Sequence, residues 1–517
     1  MKPLSLIAAS LAFTALSPHA VPSLVAAAAR KAASHVAVSK ALPAPTQIPN
    51  ALTRHSVEAS GRRIDYAATA GTIILRNDRR QPIASVFYVA YVENGADRAT
   101  RPVTFLYNGG PGSSSIWLHM GAFGPKRVVT SDAQATPPAP YRLTENEYTL
   151  LDKSDLVFVD AVGTGFSRII GAGTGKDFFG TDPDVEAFGQ FIQRWVGIND
   201  RWASPKFLLG ESYGTTRSAA LVDYLQKRGM AFNGVVLLSS ALNFLEFFGG
   251  DGNDMTYELY LPTEAAVAFY HHKLPGAPPN LASLLEQVQA FATGEYADAL
   301  MKGAALDANT RADVLHKLHQ YTGISEDYFR EVNLRIEPEQ FEMELLRGEA
   351  MTTGRLDARF TGIDTHPVGE EPQYDPSDTA INAAFTAVFN DYIRNDLHYR
   401  SDAVYKPTNY PVVDRNWDDK HKVGAQTIPY EDVLPDLREA MTQNPNLRVF
   451  SANGYYDMAT PYYATVYLLR HMDLDPRLQD HISYGYYDSG HMVYLHVPAL
   501  AAFHRDLDRF YDSALAR

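Results

Sequence analysis

The sequence predicts an α/β fold with a mainly parallel central sheet, interrupted by a largely helical insertion. Three observations carry that expectation. Short apolar runs ended by turn residues recur along the chain, as in strands buried on both faces. Between them lie segments with apolar residues at three- and four-residue steps, the period of an amphipathic helix. From about residue 245 to 430 the alternation stops.

The strands come first. "ASVFYVAYVE" (84–93), "VTFLY" (103–107), "LVFVD" (156–160), "KFLL" (206–209), "GVVLLSS" (234–240) and "LRVFSAN" (447–453) are the runs in chain order. In "TDPDVEAFGQFIQRWVGIND", Val185, Phe188, Ile192 and Trp195 form one helical stripe, with Thr181 or Asp182 to cap it and Pro183 in the first turn. "AALVDYLQKRG" stops at Gly229, and Leu500, Phe503, Leu507 and Phe510 mark a carboxy-terminal helix. The segment 245–430 carries helical patterns such as "LASLLEQVQAFATGEYADALM" but no clear buried strand, and reads as an insertion of the kind that covers an active site.

At 517 residues the chain exceeds one compact core, which fits a large domain with an insertion. A net charge of −14, with no Lys/Arg cluster, argues against a nucleic-acid surface. The first 29 residues have an early lysine, an apolar run from Leu4 to Leu16 and small residues after it. That is the layout of a signal peptide, cleaved after Ala20 or within Ala26–Ala29, and Pro18 ends the run too early to span a bilayer. Residues 30–54 read as a leader or linker, 55–244 and 431–517 as the two parts of the α/β core. The absence of cysteine excludes thiol catalysis and cysteine-ligated zinc, and fits a secreted or periplasmic bacterial protein better than a disulfide-rich secretory route.

Gly210-Glu211-Ser212-Tyr213-Gly214 matches G-x-S-x-G, with an apolar run before it and an amphipathic helix after it. This is the nucleophile elbow, a strained strand-to-helix turn that presents a serine. A serine needs a base and an acid that orients the base, and in this context they follow in the order Ser, Asp, His. His491 follows a strand-like run and Gly490, just before the last helix, whereas most of the other histidines lie in the leader, the insertion or on helix faces. Asp457 lies just beyond the strand 447–453. Asp473 and Asp475 read as a solvated turn, and Asp488 is too near His491 in sequence to orient it. "FLYNGGPGSSS" (105–115) follows a strand and offers backbone amides in a glycine turn. One of these, with the amide of Tyr213, can receive a developing oxyanion. "IGAGTGKD" (170–177) fails as a phosphate loop and "DGNDM" (251–255) as a calcium loop, so neither metal nor organic cofactor is expected.

Taken together, "NGGPGSSS", "VGTGFS", "GESYG", the late aspartate of "NGYYDMATP" and "SGHMV" resemble the serine carboxypeptidases (peptidase family S10) in order and spacing, over roughly residues 60–517. The resemblance implies the α/β-hydrolase fold, a triad of Ser212, Asp457 and His491, and oxyanion amides from Gly110 and Tyr213. It also implies that Asn108 and Glu211 hold the terminal carboxylate of a peptide or protein substrate. Three positions depart from the family pattern. Ser113 stands for its usual cysteine, Ala161 for a proline, and Ala122 for a further acid at the carboxylate site. The expected activity is that of a secreted carboxypeptidase working through an acyl-enzyme with an acidic pH preference. An esterase or acyltransferase with the same triad, and a non-catalytic binding protein on the same fold, are the alternatives.

Overall fold

The computed structural model describes residues 50–250 and 252–516. The expected signal peptide and nearly all of the expected linker lie outside them. The central sheet is built from β1 (Ala51–Ala59), β2 (Arg62–Arg76), β3 (Pro82–Glu93), β4 (Val103–Tyr107), β5 (Asp155–Val159), β6 (Lys206–Ser212), β7 (Gly234–Ser240), β8 (Arg448–Gly454) and β9 (Ile482–Tyr487), with Arg168–Ile169 pairing at the side of β3. In space the order is β1-β2-β3-β5-β4-β6-β7-β8-β9. From β5 to β9 every neighbouring pair is parallel, and β1, β2 and β3 add an antiparallel edge.

The parallel strands are apolar on both faces because both faces are covered. One face packs against α1 (Thr181–Ile198), α2 (Tyr213–Gln226), α7 (Leu434–Gln443) and α8 (Tyr462–His471), through Phe188, Ile192, Leu221, Leu437 and Leu469. The other packs against α9 (Val497–Leu515) and α6 (Asn382–Asn395), through Phe503, Leu507, Phe385 and Phe389. Each such side chain contributes about 1.5–3 kcal/mol when fully buried. No helix among the described residues is long and apolar enough to cross a membrane.

Two expectations need correction. Residues 51–54, read as linker, begin strand β1, with Ala51 opposite Ala70. β1 is an edge strand that alternates between exposed and half-buried positions, so it lacks the continuous apolar run that betrays the inner strands. The insertion also is not free of strands. It holds two short hairpins, Met351–Thr353 with Thr361–Ile363 and His421–Val423 with Gln426–Ile428. Three-residue strands are too short to leave a period.

The insertion is also divided. Helices α3 (Met255–Tyr270), α4 (Leu281–Phe291) and α5 (Ala308–Thr322) build their own cluster around Leu261, Val288 and Leu318. Residues 380–405, by contrast, contribute directly to the main core beneath the sheet.

Candidate active site

β6 delivers Ser212 at its carboxyl end and α2 leaves at once from Tyr213. Ser212 has φ +61° and ψ −132°, a strained conformation that turns its side chain out of the sheet. The turn is closed so tightly that a Cβ on Gly210 would fall 2.0 Å from the Gly214 carbonyl oxygen. Glycine is therefore obligatory there. A Cβ on Gly109 would fall 2.4 Å from the Tyr213 nitrogen, so the glycine loop lies directly on the elbow. Gly110, Ser212 and Tyr213 line one cavity together, beside the amino-terminal, positive end of α2.

The loop is pinned from below. The buried Arg217 guanidinium pairs with Asp184 at 2.6 Å and donates to the Asn108 carbonyl at 2.8 Å, with its plane over the Phe188 ring. Asn108 Oδ1 in turn accepts the Leu118 N–H at 3.1 Å.

Asp457 and His491, 0% and 3% exposed, meet at 2.8 Å between Oδ2 and Nδ1. Asp457 Oδ1 accepts the N–H groups of Ala459 and Thr460 at 2.9 Å each, and the Thr460 hydroxyl donates to Oδ2 at 2.7 Å. Burial alone would lower the His491 imidazole. The charge and hydrogen bond of Asp457, with Glu211 behind them, outweigh it and hold the ring above its ordinary value. His491 and Ser212 line the same cleft.

Glu211 is 1% exposed. Burial pushes its carboxyl up to about 7, against the opposing pull of His491, Tyr494 and Asn108. Tyr494 and Asn108 approach the carboxyl, yet Oε2 and the Tyr494 hydroxyl each stop short of a well-formed hydrogen bond. A buried acid with an open oxygen beside Ser212 is poised to engage a ligand. Two cavities flank Ser212. The larger, about 430 Å³, holds Asn108, Glu211, His491 and Trp117. The smaller, about 190 Å³, is walled by Phe244, Phe247, Phe248, Tyr260 and Met458. Among the described residues Asp152, His504 and Asp508 form a cluster within metal-ligating reach, but none lines the cleft, and His504 already faces both carboxylates at 3.4 and 3.9 Å.

The structure thus brings together the residues named from sequence: Asp457 with His491, Ser212 with Gly110, Asn108, Glu211 and His491 around the larger cavity, and Ser212 with Gly110 and Tyr213 around the smaller. Comparison with known proteins supplies the family. The serine carboxypeptidase family model matches residues 76–494. The chain belongs to the serine carboxypeptidase family. A curated relative, "Serine carboxypeptidase-like 33" of Arabidopsis thaliana, is 26% identical over 187 residues, 36% of this chain and 36% of that protein. The match therefore spans about a third of the plant relative's length. The crystal structure of Kex1(delta)p, a prohormone-processing carboxypeptidase of Saccharomyces cerevisiae, superposes with a TM-score of 0.51 at 15% identity, over 86% of this chain and 91% of that one. At that identity the likeness concerns the fold.

In this member of the serine carboxypeptidase family, the sequence reading missed a strap that ties the loops of Asp457 and His491 to the insertion. Along residues 355–358, the Arg355 carbonyl accepts the Met458 N–H at 3.1 Å, and the Leu356 carbonyl accepts the His491 N–H at 2.6 Å. Asp357 Oδ2 accepts the Gly490 N–H at 3.1 Å, and the Ala358 N–H donates to the Tyr456 carbonyl at 2.9 Å. Asp357, 1% exposed, is charge-balanced by Arg359 at 2.7 Å. Only folding juxtaposes these residues, and no local motif announces them.

The strap predicts an effect. Asp357→Ala should lower turnover by about 10- to 100-fold, since a displacement of the order of 1 Å costs that much. Loosening the His491–Asp457 bond should also let the imidazole fall back toward its ordinary value, moving the acid limb of the rate profile to lower pH. A fall in turnover with the acid limb unmoved would mean that Asp357 only stabilises the fold.

Proposed function

We propose that this chain is a serine-type carboxypeptidase that hydrolyses the last peptide bond of peptides and proteins through an acyl-enzyme. The observation that carries the reading is Glu211, a carboxyl immediately before Ser212 that burial holds at about 7, with Asn108 beside it. A protonated carboxyl donates a hydrogen bond to a substrate carboxylate, where an ionised one repels it. The substrate's chain end then lies in the cavity of Asn108 and Glu211, and the acyl residue on the side of the aromatic cavity.

In this reading Ser212 Oγ attacks the carbonyl carbon while His491 takes its proton. The oxyanion enters between the amides of Gly110 and Tyr213. His491 returns the proton to the leaving amine, and the C–N bond breaks. Water, deprotonated by His491, then resolves the ester and regenerates the Ser212 hydroxyl. Asp457 accepts the Nδ1–H throughout, which fixes the ring and stabilises its charged form. Export through the amino-terminal apolar segment belongs to the same proposal, and sequencing of the mature amino terminus checks it.

The test is mass spectrometry of a mixed peptide set incubated with the purified protein. Stepwise loss of carboxy-terminal residues supports the reading, and internal cleavage or ester hydrolysis alone overturns it. The pH dependence is a sharper check. Peptide cleavage should fall as pH rises through about 7, where Glu211 ionises, and fall again on the acid side when His491 takes a proton, above the ordinary imidazole value of 6.5. The expected profile is a bell bounded by His491 on the acid side and by Glu211 on the alkaline side. The loss on the alkaline side should be about 10- to 100-fold, the worth of a hydrogen bond to a charged group. Glu211→Gln keeps a donor without a charge, so its activity should persist to higher pH. Coincident alkaline limbs for wild type and Glu211→Gln would leave Glu211 a mere elbow residue.

A further inference from the structure

The mechanism above leaves one arginine at the mouth of Ser212 unused. Arg355 lines the larger cavity with Asn108 and Glu211, and also the smaller aromatic one. Its backbone is fixed on both sides, with the N–H donating to Asp375 Oδ1 at 3.1 Å and the carbonyl accepting from Met458 at 3.1 Å. Its side chain is exposed within the cleft. Buried arginines elsewhere are satisfied: Arg217 pairs with Asp184, Arg359 with Asp357 and Arg201 with Asp155. The Arg355 guanidinium has no hydrogen bond or ion pair with any described residue.

The nearby acids do not consume it. Asp375 is engaged with the N–H groups of Arg355, Leu356 and Ser377 and with the Ser377 hydroxyl. Glu342 is 2% exposed, and burial holds its carboxyl well above the carboxylate range, so it carries little charge. Glu339, on the wall of the smaller cavity, is exposed and forms no ion pair with the guanidinium. A guanidinium is not deprotonated in proteins, so the cation persists at every working pH. A planar fork of unspent donors at the junction of two substrate cavities is suited to a carboxylate, which it can grip with two parallel hydrogen bonds.

We propose that Arg355 is a specificity-determining residue that receives a carboxylate of the substrate where the peptide crosses Ser212. The inference rests on the carboxypeptidase reading and adds a charged reader to the neutral pair of Asn108 and Glu211. The carboxylate has two sources in a peptide, the chain end itself or an acidic side chain next to the cleaved bond. The fold places Arg355 on the insertion, opposite an elbow whose nearest carboxyl must be protonated to tolerate an anion.

The experiment compares kcat/KM of the full protein, Arg355→Lys and Arg355→Met on matched peptides. The set carries Glu or Gln on each side of the cleaved bond, each with a free or an amidated carboxyl terminus. Thermal melts within a few degrees of wild type establish that the variants fold. Arg355→Met should lose about 10- to 100-fold on the substrates that present the recognised carboxylate, and much less on their neutral partners; Arg355→Lys should retain an intermediate rate. A loss that follows the free terminus identifies the chain end, and a loss that follows Glu over Gln identifies the side chain. An equal loss across the whole set, or none, overturns the inference while leaving the carboxypeptidase reading intact. Should the wild type cleave esters but no peptide, that reading fails instead. The comparison then runs on N-acetylglutamate and N-acetylglutamine α-esters, where an equal loss again overturns the role of Arg355.

Discussion

Ser212→Ala should lower kcat by about 10⁴- to 10⁶-fold, His491→Ala by a comparable factor, and the double variant scarcely further. The near-identity of the three losses is the informative part. If Ser212 and His491 perform one proton-coupled attack, removing either removes the whole step, and what survives is the background from the oxyanion amides and substrate positioning. Independent contributions would multiply instead, so a double variant slower than either single one by a further large factor would refute the shared step. A fluorophosphonate should modify wild-type protein at Ser212 alone. Modification of a different serine would remove the nucleophile assignment altogether. The strained φ of +61° adds a side effect: alanine is no better suited than serine to that conformation, so folding stability should change little.

Asp457→Asn should cost about 10⁴-fold in kcat with the fold retained. The carboxylate sits among four donors, the N–H groups of Ala459 and Thr460 on Oδ1, and the Thr460 hydroxyl and His491 on Oδ2. An asparagine has one accepting oxygen, which the two backbone N–H groups claim. Its NH₂ then faces His491 Nδ1 and forces the proton onto Nε2, where a general base must have none. The imidazolium also loses the anion that stabilises it. Asp473, the nearest rival in sequence, is 96% exposed and makes only a 3.9 Å contact with Arg438, so Asp473→Asn should leave kcat within a factor of about two. Kinetics on the two variants, measured alongside circular dichroism, decide the matter. A damaging Asp473→Asn with an innocuous Asp457→Asn would reverse the assignment.

How much of this was legible in the sequence depended on whether the signal was local. The inner strands announced themselves because burial on both faces leaves an unbroken apolar run, and the elbow because Gly210 is dictated by a contact only four residues away, at the Gly214 carbonyl. β1 did not, since an edge strand exposes half its side chains. His491 and Asp457 could be picked out because each follows a strand. Arg217, Asp357 and Arg359 could not, because their partners lie up to 227 residues distant and a charged side chain reads as solvated in sequence. Arg355 was hidden for the same reason. The division of the insertion, with one part packed on itself and another in the main core, depends on which face each helix turns to the sheet. The amphipathic period gives the existence of such a face but not its partner. Ala122, singled out because it stands where the family has an acid, lies fully buried in the Leu118–Phe123 turn, outside the residues that line either cavity.

The strap at residues 355–358 bears on how this protein can be re-engineered. A covering segment is ordinarily treated as an exchangeable part, to be swapped between relatives so that a new preference is grafted onto an unchanged chemical engine. Here the hydrogen bonds to Tyr456, Met458, Gly490 and His491 make four backbone positions of that engine depend on the part being exchanged. A transplanted insertion that keeps its own cavity lining but shifts this strap would arrive with the desired walls and a misaligned base. Productive chimaeras would therefore splice on either side of residues 351–363 and retain the native hairpin. Selectivity would then be varied from Phe244, Phe247, Phe248 and Tyr260, which wall the smaller cavity and take no part in the hydrogen bonds of the strap.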